Sequence, residues 1–220
     1  VALDEVLKSL GVTQWDVAIV GDGSGTAWGE PCGWSSILHE RKSSLRKCFN
    51  GGFSHGTNNL AELIPYLQAM LWYANGPGKK RLHDLRMLDH NKVLTIHIVT
   101  DSEITAKQGN GEYNRKANRE IWAAIDSFCD RGYRFYWHWL GRSKTGLNIL
   151  ADYLAGNSRL AMREASAKSA KAMSSVGVPP GYSVYDFNHG GQENDPVDNF
   201  QRSTLHRQDI STDGNGAGSL

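Results

Sequence analysis

The chain has 220 residues, is 40% hydrophobic and carries a formal net charge of +1. No apolar run approaches the roughly 20 residues of a membrane span, so no membrane association is expected. The odd cysteine count (Cys32, Cys48, Cys129), with no metal-ligand spacing, argues against a disulfide framework and for a reducing, cytoplasmic setting. The charge is uneven: residues 1–171 hold 22 Lys+Arg against 17 Asp+Glu, and residues 172–220 hold 2 against 6, so a moderately basic body compatible with a polyanionic partner precedes an acidic tail.

In chain order, Val6, Leu7 and Leu10 recur at helical spacing and stop at Gly11. Residues 1–15 are therefore expected as an N-terminal appendage, and they lack the pattern of a signal peptide. The run Val17-Ala18-Ile19-Val20 follows, ending in Asp22-Gly23-Ser24-Gly25. Such a run reads as a strand buried on both faces, spanning about 16–22. Residues 33–38 and 45–53 read as two further strands, and the short links make the three an antiparallel meander.

Thr57-Asn58-Asn59 then opens a helix whose apolar positions, from Leu60 to Leu71, run to about Tyr73, with Pro65 inside it. Residues 75–92 form a polar, basic connector with Lys79, Lys80, Arg81 and Arg86, long enough for a short helix. The apolar run 93–100 is another buried strand, and it too ends in a carboxylate, Asp101. A short helix from Ser102 to Gly109, a helix over 118–131, a strand over 133–140 and a closing helix from Leu147 to about Met162 complete the pattern. From Gly177 onward Gly, Pro, Asn, Asp, Gln and Ser dominate, and no fixed structure is expected. Tyr182, Val184, Tyr185 and Phe187 are the exception, able to dock on the body or on a partner protein.

Asp before Gly most often serves a turn, so Asp22 alone proves little. Its significance depends on other acids reaching it. A strand entered through a crossover helix lies parallel to its neighbour, which places Asp22 and Asp101 at the same end of adjacent strands. Glu62 sits near the start of a helix packed on that sheet, and Asp152 sits on the closing helix. Carboxylates sharing one cleft repel each other, a cost that a divalent cation relieves, and oxygen donors suit Mg2+ or Mn2+.

These pieces resemble the type 1 ribonuclease H family. They are Asp22-Gly23-Ser24, Gly33-Trp34 with Ile37-Leu38, Thr57-Asn58-Asn59 with Glu62-Leu63, Thr100-Asp101-Ser102, Asn118 with Ile121-Trp122, Trp137 and Trp139, and Asn148 with Ala151-Asp152. They cover roughly residues 16–160 in the family's order. The resemblance implies an α/β fold with a mixed five-stranded sheet, three antiparallel strands and then parallel ones, flanked by helices on both faces. It implies a catalytic domain over 16–163, followed by a helical extension and acidic tail over 164–220. It implies hydrolysis of the RNA strand of RNA–DNA hybrids using two Mg2+ ions, with Mn2+ able to substitute; a monomer is expected. Asp22, Glu62, Asp101 and Asp152 are the implied metal ligands. Gly23, Ser24, Thr57, Asn58, Asn59, Ser102 and Asn148 are the implied substrate contacts; Thr57 equally suits a plain helix cap.

Three departures from the family stand out. The loop over 141–146 lacks the histidine of bacterial members, and Arg142 stands nearest that position as a catalytic candidate, able to neutralise phosphate charge but not to transfer protons near neutral pH. His138 reads as a packing residue. The basic handle between the middle helices is shortened to Asn110 through Ala117, which weakens substrate affinity or moves it to the 79–86 connector. No separate hybrid-binding module is expected ahead of the domain. Trp72, Trp122, Trp137 and Trp139 are expected in the core, and Trp28 near the substrate. Two other readings stay open from the residues: a nuclease of the same fold that cuts DNA junctions, and a non-cleaving nucleic-acid-binding scaffold.

Overall fold

The computed structural model describes residues 3–26, 30–141, 145–167 and 183–186. In chain order the elements are α1 (Leu3–Ser9), β1 (Val17–Ser24), β2 (Glu30–Glu40), β3 (Arg46–Gly56), α2 (Asn58–Asn75), α3 (Pro77–Leu88), β4 (Leu94–Thr100), α4 (Glu103–Gly109), α5 (Arg119–Asp130), β5 (Tyr133–Trp139), α6 (Gly146–Ala167) and β6 (Ser183–Asp186). The strands form one sheet in the order β5-β4-β1-β2-β3-β6. The meander β1-β2-β3 is antiparallel, whereas β4 runs parallel to β1 and β5 parallel to β4. The expected mixed five-stranded sheet is present, and β6 adds a short parallel strand along the edge of β3.

Alternation along β1 feeds two cores. Val17 and Ile19 point into the larger one, built with α2 and α5 from Leu60, Leu63, Ile64, Leu67, Ile121, Trp122, Ile125 and Phe128. Ala18 and Val20 point to the other face, where Leu3 and Leu7 of α1 and Trp15 cover them. This corrects the reading of residues 1–15 as an appendage: α1 supplies part of a core, and Leu7 is fully buried. Farther along that face α6 packs on β2 and β3 through Ala151, with Ile37 and Cys48. Gly33 permits this, because a Cβ there would lie 2.2 Å from the Ala155 carbonyl oxygen of α6.

The basic connector is mostly the 12-residue helix α3, and it does not face the carboxylates. Its Arg81 forms ion pairs with Asp16 at 2.8 Å and with Glu40 at 2.9 Å. Asp16 precedes β1 and Glu40 ends β2, so this polar pin sits at the start of β1, about 17 Å of strand away from Asp22. Tyr73 donates to Glu40 at 2.6 Å and completes it. Arg81, one of the four cations of the connector to which substrate affinity could have moved, thus serves the fold. In the α4–α5 handle Arg115 is similarly committed, because it pairs with Asp126 and lies over the Trp122 ring.

β1, β2 and β3 run past their expected ends while β4 and β5 fall within theirs, and β6 falls inside the tail for which no structure was expected. Val184 and Tyr185, two of the four tail residues singled out as able to dock, belong to it. Tyr182 and Phe187 lie outside the described residues.

Candidate active site

Parallel pairing of β1 with β4 aligns Gly21 with Thr100, so Asp22 and Asp101 follow side by side at one end of the sheet. Glu62 reaches them because α2 starts against β1. Gly23 makes that approach possible: a Cβ there would lie 2.4 Å from the Glu62 nitrogen and from the Ala61 carbonyl carbon. Thr57 caps α2, its Oγ1 accepting from the Leu60 N–H at 3.1 Å, and so fixes where the helix begins. One carboxylate oxygen from each of Asp22, Glu62 and Asp101 lies within 4.8 Å of the others. Asp22 and Glu62 are buried and Asp101 is half-buried.

A cleft of about 270 Å³ opens over this cluster, lined by Asp22, Gly23, Ser24, Gly25, Asn58, Asp101, Asn148 and Asp152. Asp152 is exposed and faces the cleft from α6, outside the tight trio. Asn148, one turn earlier, is buried and its Oδ1 accepts from the Thr145 hydroxyl at 2.6 Å. Asn59 is exposed in the first turn of α2 and does not line the cleft. Ser102 caps α4, its Oγ accepting from Thr105, and likewise stands outside the lining. Arg142 and Trp28 lie outside the described residues. His138 sits 2.9 Å from His97 through their ring nitrogens, on the α1 face of the sheet, in keeping with a packing role.

Two residues were not legible as site neighbours. Tyr66, one turn after Glu62, is buried and donates to the Gly21 carbonyl at 3.0 Å. Burial pushes its phenol well above the ordinary range, a hydrogen bond with Thr100 opposes this, and the charges of Glu62, Asp22 and Asp101 push it further up. A neutral phenol therefore underpins the cluster and ties β1 to α2. The i, i+4 spacing from Glu62 is the signal that would have found it. Trp139, expected in the core, is 52% exposed, and its indole N–H donates to the Asp101 carbonyl at 3.1 Å. Trp122 and Trp137 are buried as expected, and Trp72 is half-buried against Phe49.

The donor set is all carboxylate, converging in a polar cleft. Those are the oxygen ligands that hard divalent cations take, so Mg2+ or Mn2+ fits the residues present.

No family model matches the chain. A Ribonuclease H from Alkalilimnicola ehrlichii is 30% identical over 151 residues, covering 62% of this chain and 90% of that protein. Among solved structures, the N-terminal RNase H domain of a Mycobacterium tuberculosis protein superposes with a TM-score of 0.52 at 18% identity, covering 70% of this chain and 99% of that one. LC11-RNase H1 in complex with an RNA/DNA hybrid gives a TM-score of 0.47 at 21% identity, covering 66% and 98%. A sheet of this topology with acids at the adjoining ends of β1 and β4 defines a ribonuclease H-like protein. The chain belongs to the ribonuclease H family.

Proposed function

We propose that the protein hydrolyses the RNA strand of RNA–DNA hybrids, using two divalent cations, Mg2+ with Mn2+ able to substitute. The observation that carries this reading is the trio Asp22, Glu62 and Asp101, gathered within 4.8 Å from three separate elements. Like charges held this close, two of them buried, are a liability unless a cation is their partner. Asp22, Glu62 and Asp101 would hold one ion, and Asp152 across the cleft with Asp22 would serve the second. Bound there, the ions supply Lewis-acid stabilisation of phosphoryl oxygens and a water of lowered pKa.

The chain's own residues do the rest. Gly23 and Gly25 let the start of α2 close on the end of β1, since a Cβ at either would meet Ala61–Glu62 or Asn58, and so bring Glu62 and Asn58 to the cleft. Asn58, at the open first turn of α2, offers donors to a phosphate oxygen, and the adjoining helix N-terminus favours negative charge. Discrimination of RNA from DNA rests on the ribose 2′-hydroxyl. The free cysteines fit an intracellular, reducing setting: burial pushes the Cys32 thiol up to about 11 and Cys48 up to about 12.

The test is a cleavage assay on end-labelled RNA–DNA, RNA–RNA and DNA–DNA duplexes and a DNA four-way junction, with Mg2+ or with chelator. Cleavage confined to the RNA of the hybrid, and only with metal, is expected. Efficient cutting of the junction, or hybrid cleavage in chelator, overturns the reading.

A further inference from the structure

Trp139 ends β5 in register with Thr100, the residue before Asp101. Its one polar atom is satisfied by the main chain of that acid, because the indole N–H donates to the Asp101 carbonyl at 3.1 Å. The ring is thereby held in one orientation, yet it stays 52% exposed, whereas Trp137, two residues earlier on the same face, is 5% exposed and packs on Tyr66 and Trp122. A large apolar ring kept in water at the rim of a polar cleft forgoes the stabilisation that burial gives its neighbour.

The charges nearby make the contrast sharper. A polyanion approaching this rim meets carboxylates at Asp22, Glu62 and Asp101. Two cations of the adjoining segment are committed: Lys107 pairs with Glu103 at 2.7 Å and Arg115 with Asp126 at 2.6 Å. A neutral π face adds affinity for a nucleic acid without charge, and it does so for any base. We propose that Trp139 is a stacking platform that holds a nucleotide of the substrate against the rim of the cleft, beside Asp101. This rests on the hybrid-cleaving reading and adds a substrate contact to it.

The experiment measures binding of a fluorescein-labelled RNA–DNA hybrid by anisotropy in chelator, where nothing is cut, and turnover in Mg2+. The proteins are wild type, Trp139→Ala, Trp139→Leu, Trp139→Phe and the control Tyr136→Ala, with folding of each checked by circular dichroism. Losing the ring in the Ala and Leu variants should raise Kd about 5- to 100-fold, equally for hybrids of different base sequence, which is the worth of one base–aromatic stack. Phe keeps a π face and loses the N–H, so it should hold most of the affinity while kcat falls through the released Asp101 backbone. Tyr136, 39% exposed on the opposite face of β5, should change neither. A Leu variant that folds and binds as wild type, or a Phe variant that loses as much affinity as Leu, overturns the platform while hybrid cleavage stands. Wild-type protein that fails to bind and cut the hybrid overturns both.

Discussion

The phenolic hydroxyl of Tyr66 donates to the carbonyl of Gly21 at 3.0 Å, so the helix carrying Glu62 is bonded to the strand carrying Asp22 one residue short of the acid. The bond is buried, and it links the two elements at the point where their carboxylates must meet. Tyr66→Phe keeps the ring against Trp137 and removes only the hydroxyl. The expected loss is about 1 kcal/mol of stability, read by urea unfolding, with a larger relative fall in kcat than in kcat-independent hybrid affinity. Unchanged turnover and stability would show that the hydroxyl holds nothing in place.

Glycine substitutions separate close approach from open space. At Gly23 a Cβ would meet α2 backbone at 2.4 Å, and backbone cannot swing aside as a side chain can. Gly23→Ala should therefore displace the start of α2, cost about 1–3 kcal/mol and remove most cleavage. Gly156, inside α6, has nothing within 4 Å of its Cβ position. Gly156→Ala should stabilise by about 0.5–1 kcal/mol with activity unchanged. Paired thermal melts and cleavage rates check both, and equal effects at the two sites would contradict the geometry.

Neutralising a member of the trio should uncouple activity from stability. Asp22→Asn or Asp101→Asn is expected to lower turnover by at least about 100-fold, close to 3 kcal/mol of transition-state stabilisation. In chelator the same variants should melt at or above the wild-type temperature, because each removes like-charge repulsion. Calorimetry with and without Mg2+ reads this directly, and a variant keeping more than a tenth of wild-type turnover would refute the ligand assignment.

Stability should fall between about pH 6.5 and pH 4. Burial, reinforced by Arg46, lowers His39 to about 4, and burial, reinforced by His138, lowers His97 to about 4. Above about pH 7.5 both rings are neutral folded and unfolded, so they add no slope. As pH drops, the unfolded chain takes up protons that the folded one refuses, and each ring costs at most about 1.4 kcal/mol per pH unit until its folded pKa is reached. Glu40 extends the loss to lower pH: burial would raise it, but hydrogen bonds from Ser43, Tyr73 and Arg81 outweigh burial and lower it. Urea unfolding at pH 7.5, 6 and 5 is the check, and a flat profile would mean that both rings protonate freely in the folded state.

What the sequence made legible was local. Asp22 and Asp101 stood out because each ends a run of β-branched residues, and Glu62 because Thr57 marks a helix start five residues before it. The features it hid depend on partners distant along the chain. Arg81 read as one cation of a basic connector that could take substrate, since its partners Asp16 and Glu40 lie 65 and 41 positions away. Leu7 read as part of an appended helix until Ala18 and Val20 met it on the sheet. Trp139 matched the periodicity of Trp137, and periodicity reports the face of a strand without telling where along it the covering helices stop.

The short strand β6 has a consequence for the edge of the sheet. Asp22, Ser35, Asn50 and Asp186 occupy one row across the sheet, and β6 runs in the same direction as β1. Asp186 therefore lies at the same pole as the carboxylates, three strand spacings or about 14 Å to the side. By pairing with residues 47–50, β6 also closes part of the β3 edge, a row of N–H and C=O groups that would otherwise be open to a strand from another chain.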